Sequence, residues 1–322
     1  MKYRKLGRTN WKVSEIGFGA WGIGGAMWQG SDDSESIRAL HAAIDAGLNF
    51  IDTALAYGDG HSERLCGRIL KERKERLYLA TKVPPMNLIW PARGTLDEVF
   101  PTHHIIGSVE RSLRNLAVER IDLVQLHVWD PSWLARDDWY ETLCRLRDQG
   151  KLRFFGISIN DHQPDSALEV VRSGRIDTVQ VIYNIFDQSP EDHLFAACQQ
   201  MDVGVIARVP FDEGSLTGKI TPDTVFPEGD WRNEYFQGDR KREVWERVSR
   251  LMSLLGTEVS TLPELALRFC LHHPAVSTVI PGMRTVRHAL DNVRVSDLPP
   301  LSPSLIERLR EHRWVRNYYP EV

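Results

Sequence analysis

Four polar residues close or follow short apolar runs in the first half of the chain. Asp52 ends NFID, Tyr57 lies five residues further on, Lys82 ends LYLATK and His127 ends LVQLH. A Lys ammonium beside a Tyr stabilises the phenolate and lowers the phenol pKa from its ordinary value near 10. A carboxylate beside that Lys keeps it charged. Tyr57 in such a pair is suited to protonating a developing alkoxide, and a neutral His127 could donate a hydrogen bond to a carbonyl oxygen and orient it. No side chain can deliver the hydride that this chemistry needs, whereas a nicotinamide cofactor can. Each residue taken singly has an ordinary explanation: a turn Asp, an exposed Tyr, a loop Lys, a satisfied core His. The set acquires meaning only if the fold brings the run ends together.

The pattern around these residues predicts that it does. Strand-like apolar runs occupy 13–20, 48–54, 77–83, 121–128, 152–159, 178–184, 204–210 and 277–282. Between them lie segments such as ESIRALHAAIDAG and SERLCGRILKERKE, with apolar residues at three- and four-residue spacing and several ending at Gly. Eight strand–helix repeats in 322 residues predict an α/β fold, a (β/α)8 TIM barrel rather than an open doubly wound sheet. No linker-like change of composition divides the chain, so 1–322 reads as a single domain. Four stretches exceed the minimal repeat. Residues 1–12 read as an N-terminal hairpin turning near Gly7 and Asn10; 84–101 and 211–241 are long loops after the third and seventh strands. The tail from Leu298 contains a helical pattern, SPSLIERLREHRW, and ends in NYYPEV. The tail after Val293 is available to cap the barrel, line its mouth or meet another subunit. Loops at strand C-termini are where this architecture places chemistry.

Composition removes several function classes. Hydrophobic residues make up 42% and charged residues 26%, which suits a packed core and excludes disorder. The 40 basic and 44 acidic residues give a net charge of −4, no footprint for nucleic acid or an anionic membrane. No apolar run approaches the roughly 18 residues of a membrane span, and the start MKYRKLGRTNWKV lacks the apolar stretch of a signal peptide. A soluble, cytoplasmic protein is expected. Cys66, Cys144, Cys198 and Cys270 form no CxxC pair and read as small buried hydrophobes, and the His residues show no zinc spacing. The stretch Gly17-Phe-Gly19-Ala-Trp-Gly22 matches the dinucleotide fingerprint G-x-G-x-x-G, but the following WGIGGAMWQG is too rich in Gly for the required helix. It reads instead as a turn displaying Trp21 and Trp28.

The segments FIDTALAYGDGHSERLCGRIL, LATK, DLVQLH, GKLRFFGIS, ARVPFDEGSLTGK and VIPGMR together resemble successive signature stretches of the aldo-keto reductase superfamily. The resemblance covers about Leu6 to Asn292. It implies a (β/α)8 barrel, reversible reduction of an aldehyde or ketone by NAD(P)H, and a catalytic tetrad at Asp52, Tyr57, Lys82 and His127. It also implies that Ser158, Asn160 and Gln180 bind the nicotinamide carboxamide. Here Ile159 interrupts the usual Ser-Asn dipeptide, with strand alternation keeping 158 and 160 on one side. Arg208 stands where an aromatic often stacks on the nicotinamide; its charge would disfavour the oxidised ring, unless it pairs with Asp212 or Glu213. Trp21, Asp52, Pro210 and Phe211 complete that wall. Gly214, Ser215, Gly218 and Lys219 resemble the loop over the pyrophosphate, and Gly282, Arg284, His288 and Asn292 the adenosine end. Arg284 favours NADPH over NADH, because a guanidinium suits a dianionic phosphate.

The substrate wall is expected at Trp21, Tyr57, Trp90, His127, Trp129 and Trp231. Aromatic platforms accept sugar C–H faces or hydrophobic aldehydes. Nearby Asp32, Asp33, Arg93, Asp130 and Arg232 tilt the reading toward a sugar-like carbonyl and carbohydrate metabolism. Three alternatives use the same residues: a dehydrogenase running in the oxidative direction, a Schiff-base aldolase using Lys82, and a cofactor-binding regulatory subunit.

Overall fold

The computed structural model describes residues 1–25 and 27–316; the aromatic NYYPEV segment lies outside them. Ten strands are present among the described residues: β1 (Tyr3–Lys5), β2 (Lys12–Ser14), β3 (Phe18–Gly19), β4 (Phe50–Asp52), β5 (Tyr78–Val83), β6 (Ile121–Leu126), β7 (Leu152–Ser158), β8 (Thr178–Ile182), β9 (Gly204–Arg208) and β10 (Val276–Val279). Strands β3 to β10 pair in sequence order as one parallel sheet. Parallel bridges Ile16–Val279 and Gly19–Gly282 join its two edges, so the repeats close as the eightfold count predicts. Parallel strands covered by helices are buried on both faces, and β6 and β8 are buried at every position.

Period-two alternation separates the two faces. Phe50, Ala80, Leu123, Ile206 and Ile280 form a small cluster inside the barrel, while their neighbours Ile51, Leu79, Val124 and Val205 join the larger cluster under the helices. Gly156 on β7 has a packing reason. A Cβ there would lie 2.3 Å from the Thr178 carbonyl oxygen, so only Gly lets β7 and β8 approach.

The N-terminal hairpin is present with one correction. Its second strand is β2, Lys12–Ser14, paired antiparallel with β1, so the expected barrel strand 13–20 shrinks to the two residues of β3. Asn10 takes the left-handed conformation (φ 59°) that the turn requires. The hairpin plugs the N-terminal mouth of the barrel. Leu6 and Val13 join the inner cluster, and Trp11 stacks on Tyr78 and meets Phe154 edge-on, with centroids 4.7 and 4.9 Å apart.

The surrounding helices begin on local signals. Asp32 accepts the Glu35 amide at the start of Asp33–Asp45, and Thr285 accepts the His288 amide at the start of Val286–Val293. The tail pattern forms the helix Pro303–Arg310, capped by Ser302. After β3 the chain makes a 3-10 turn at Trp21–Ile23 and reaches no α-helix until Asp33; the glycine fingerprint is therefore a turn, not a Rossmann motif. Cys66, Cys198 and Cys270 are buried and Cys144 is half-buried, all as free thiols. Burial pushes the Cys66 and Cys198 thiols up to about 12, which keeps them unreactive.

Candidate active site

The inner face that carries Phe50, Ala80 and Leu123 continues two residues on to Asp52, Lys82 and Gln125, and one further step reaches His127. Strand alternation alone therefore aims these groups at the C-terminal mouth of the barrel. The Lys82 ammonium is fully buried and places its three donors on Asp52 Oδ2 (2.6 Å), the Thr53 carbonyl (2.8 Å) and Tyr57 Oη (3.2 Å). Asp52 accepts on its other oxygen from Gln180 Nε2 (2.7 Å) and Gln125 Nε2 (3.4 Å).

Tyr57 reaches Lys82 from a tight turn. Gly58 at φ 63° lies so near Gly24 that a Cβ would come within 2.0 Å of the Gly24 carbonyl oxygen. Behind the turn, Thr53 bonds Ser62 (2.8 Å), Ser62 bonds the Ala20 carbonyl (2.9 Å), and Thr81 bonds the buried Glu63 (2.6 Å). These bonds fix the loop rather than leaving Tyr57 on a mobile tip.

Burial lowers the tendency of Lys82 to stay protonated, but the Asp52 and Tyr57 charges outweigh it and hold its pKa above the ordinary value. For Tyr57 the balance differs from the sequence expectation. Burial pushes the phenol above its ordinary value of 10, and Lys82 pulls it back only in part. The correction is physical: the ammonium acts as expected, but desolvation of the phenol by the surrounding protein outweighs it. His127 is pushed well below 6.5 by burial and by the charges of Lys82 and Arg208, which leaves the neutral imidazole. Its Nδ1 is buried without a hydrogen-bond partner among the described residues.

Asp52, Tyr57 and His127 lie on the wall of a cavity of about 1160 Å³ at this end of the barrel. The same wall carries Ser158, Asn160, Gln180, Arg208, Pro210 and Phe211, then Gly214, Gly218 and Lys219, and finally Gly282, Arg284, His288 and Asn292. These are residues that the family resemblance assigned to the cofactor, and one cavity brings them together with the tetrad. At Gly214 and Gly282, both on the cavity wall, a Cβ would meet no protein atom within 4 Å. Burial lowers the His288 pKa first, followed by the charges of Lys219, Arg284 and Arg287; those three cations suit phosphate oxygens. The residues present therefore fit a nicotinamide dinucleotide.

Several expected residues are placed differently. Ser215 is fully buried and off the cavity wall, because the turn points its hydroxyl into the protein. Trp129 is also fully buried, packed edge-on against Trp133 and Trp139 at 5.9 and 5.2 Å; it is core, not substrate wall. Asn160 lines the cavity, but its amide accepts from Ala92 N (3.1 Å) and donates to the Trp129 carbonyl (3.0 Å) and Gln163 (3.2 Å). It pins the 84–101 loop to the barrel from the cavity wall. Gln180 likewise commits its NH2 group to Asp52. Arg208 pairs with Asp161 Oδ1 (2.7 Å) and the Ile159 carbonyl (2.8 Å), not with Asp212 or Glu213; its charge is thus balanced by a carboxylate.

Trp21, Trp28, Trp90 and Trp231 line the cavity with Tyr57 and His127. Trp21 lies 5.3 Å from Trp28 and 6.4 Å from both Tyr57 and Trp231, while Trp90 meets His127 at 5.9 Å. Of the polar residues behind the sugar reading, only Arg232 lines it. Asp32 caps a helix, Asp33 pairs with His61 and Asp130 caps Pro131–Ala135. Gln125, Asp161 and Arg287 were not foreseen, and Glu213 was named only as a possible partner of Arg208. Gln125 had a legible signal, two residues before His127 on one strand face; the other two reach the site only through loop or helix geometry.

The family model described as the aldo/keto reductase family matches residues 15–313. Aldo-keto reductase YhdN of Bacillus subtilis is 33% identical over 290 residues, covering 88% of this chain and 85% of that protein. The NADH-specific methylglyoxal reductase of Escherichia coli is 29% identical over 311 residues, covering 91% and 93%. Among solved structures, the glycerol dehydrogenase of Gluconobacter oxydans superposes with a TM-score of 0.78 at 28% identity, covering 100% of this chain and 98% of that one. A match across nearly the whole chain, on a closed barrel whose strand ends assemble one polar cluster, has one consequence: the chain belongs to the aldo/keto reductase family, pyridine-nucleotide-dependent oxidoreductases of carbonyls and alcohols.

Proposed function

We propose that this protein reduces an aldehyde or ketone to the alcohol with NADPH, with Tyr57 as the general acid. The observation that carries the reading is the chain of contacts Asp52–Lys82–Tyr57 at 2.6 and 3.2 Å, ending on the cavity wall beside a neutral His127. The bound cofactor supplies the hydride. Tyr57 is protonated across neutral pH and holds its proton beside the position a carbonyl oxygen would take. Lys82 stabilises the phenolate left after that proton moves, and Asp52 keeps Lys82 charged and oriented. His127 can donate a hydrogen bond to the same oxygen from its neutral ring. The indoles of Trp21, Trp28, Trp90 and Trp231 exclude water and favour a substrate with a flat or C–H-rich face. The polar partners that pointed to a sugar mostly stand off the cavity, so a small carbonyl with an apolar face suits this wall better. The preference for NADPH is supported by Lys219, Arg284 and Arg287 around His288. Lys82 is unsuited to Schiff-base chemistry, being buried, off the cavity wall and hydrogen-bonded through all three donors.

The test is a panel of aldehydes, ketones and sugars assayed by NADPH absorbance, with Tyr57→Phe as control. Substrate-dependent oxidation that falls about 100-fold or more in the variant is expected. No oxidation across the panel despite tight cofactor binding would favour a regulatory, non-enzymatic role. Alcohol oxidation exceeding carbonyl reduction under matched conditions would assign the opposite direction.

A further inference from the structure

We propose that the cleft between the helix Arg240–Met252 and the C-terminal helix Pro303–Arg310 binds a phosphate group, at a site separate from the cavity lined by Tyr57. This site is independent of the proposed reduction.

The residues come from two distant segments. Arg247 and Arg250 stand three apart on the helix Arg240–Met252 and so share a face. Arg308 lies on Pro303–Arg310, and His312 in the turn after it. All four line a cavity of about 340 Å³ together with Ser253 and Glu311. A single turn of chain divides this cavity from the one beside Tyr57. Ser253 and Leu254 line the cleft, whereas Met252 and Leu255, on either side of them, line the Tyr57 cavity. Among the described residues none lines both.

Unbalanced charge sets the cleft apart from the rest of the same segments. Arg240 and Arg242 meet Asp212 and Asp239 at 3.7 and 3.0 Å, and Arg310 meets Glu191 at 3.3 Å. Arg313 and Arg316 pair with Asp192 and Glu243. The guanidiniums of Arg247, Arg250 and Arg308 have no ion-pair or hydrogen-bond partner among the described residues. Like charges three apart on a helix oppose each other, and half-buried Arg247 is also desolvated. Burial, then the Arg250 charge, pushes the Arg247 pKa down. The helix dipole accounts for Arg250 and Arg308, each in a last turn. It does not account for Arg247, which lies further back.

Arg247 is also held in place. Trp314 N donates to the Phe186 carbonyl (2.7 Å), and the indole meets the Phe186 ring edge-on at 5.5 Å. Arg247 lies over that fixed indole at 4.1 Å. Stacking engages the face of a guanidinium and leaves its N–H edges for an anion. Ser253 Oγ is committed to the Arg250 carbonyl (2.7 Å), so recognition falls to the arginines. Three guanidiniums against the one Glu311 carboxylate leave two positive charges, which match a phosphate dianion better than a carboxylate. His312 reports the field. Burial, then Arg250, holds its pKa below 6.5, with Arg247 and Arg308 adding to the effect and Glu311 opposing it. A bound dianion must raise that pKa.

The experiment is calorimetric titration with inorganic phosphate and, separately, glycerol phosphate, above neutral pH and at constant ionic strength. It compares the wild-type protein, the double variant Arg250→Gln/Arg308→Gln, and Arg284→Ala, which controls for phosphate entering the Tyr57 cavity. Both residues of the double variant are exposed, so its fold should be kept. One saturable site is expected, with Kd raised about tenfold or more in the double variant and unchanged in Arg284→Ala. Tighter binding of glycerol phosphate would identify a phosphorylated small molecule as the ligand, and equal binding free phosphate. Ring resonances of His312, assigned with His312→Gln and followed against pH, should show its pKa rising with phosphate in the wild-type protein and not in the double variant. Absence of saturable binding at millimolar phosphate overturns the site. So does loss of binding in Arg284→Ala but not in the double variant, or an equal His312 shift with chloride at the same ionic strength.

Discussion

Lys82 is the residue on which the candidate chemistry depends, because it links the charge of Asp52 to the proton of Tyr57. A single ammonium with three acceptors has no spare donor, so its geometry is over-determined. Replacing it with Met removes the cation but keeps most of the stem volume. Lys82→Met should lower kcat by about 100-fold or more and shift the alkaline limb of the rate profile upward. The sign follows from the physical terms: burial already raises the Tyr57 phenol, and losing Lys82 removes its main opposing influence. In the wild-type protein, reduction should be level through neutral pH and fall on the alkaline side as Tyr57 loses its proton. A pH series of kcat/KM for reduction checks both expectations, and a bell centred below pH 7 would contradict them. Neutral His127 adds no acid limb above its depressed pKa.

At the scale of elements, the first barrel loop and the long loop after β9 meet over the cavity. Trp231 N donates to the Met27 carbonyl (2.9 Å), Gln29 N to Asp230 (3.2 Å), and Arg284 Nη1 to the Gln29 carbonyl (2.9 Å). Arg232 stacks on Trp28 at 4.4 Å. Arg284 therefore holds this junction while lining the cavity, where the proposed reading puts the adenosine end of the cofactor. Arg284→Ala should raise Kd for NADPH about tenfold, the usual size of a lost charge-assisted hydrogen bond, and change Kd for NADH much less. Titration with both cofactors measures the difference. Equal losses for the two would reduce Arg284 to a loop clasp. Part of this was legible: Gly214, Gly218, Lys219, Gly282 and Arg284, named from the sequence, do line one cavity. The junction itself was not, since it joins segments roughly 200 residues apart partly through backbone carbonyls, which carry no residue signature.

For the whole molecule, the barrel separates stability from chemistry by its two ends. The hairpin plug lies at the N-terminal mouth, opposite the cavity, and its half-buried Trp11 contacts Tyr78 and Phe154. Trp11→Ala should cost roughly 2–4 kcal/mol of stability with little change in kcat or cofactor Kd. Denaturant unfolding together with steady-state kinetics tests the separation. A large loss of activity in the folded variant would show that the plug transmits strain to the strand ends.

Local chemistry determined what could be read from the sequence by itself. Eight apolar runs with helical segments between them predicted the barrel, and the places of Asp52, Lys82 and His127 at the run ends predicted that they would converge. Those rules act within a strand or a helix, so the chain order carries them. The tertiary structure decided which neighbours each charge meets. It buried Trp129 and Ser215, tied Asn160 to the 84–101 loop, balanced Arg208 with Asp161 and raised Tyr57 rather than lowering it. Desolvation and through-space charge depend on residues distant in sequence, and only the folded chain sets those distances.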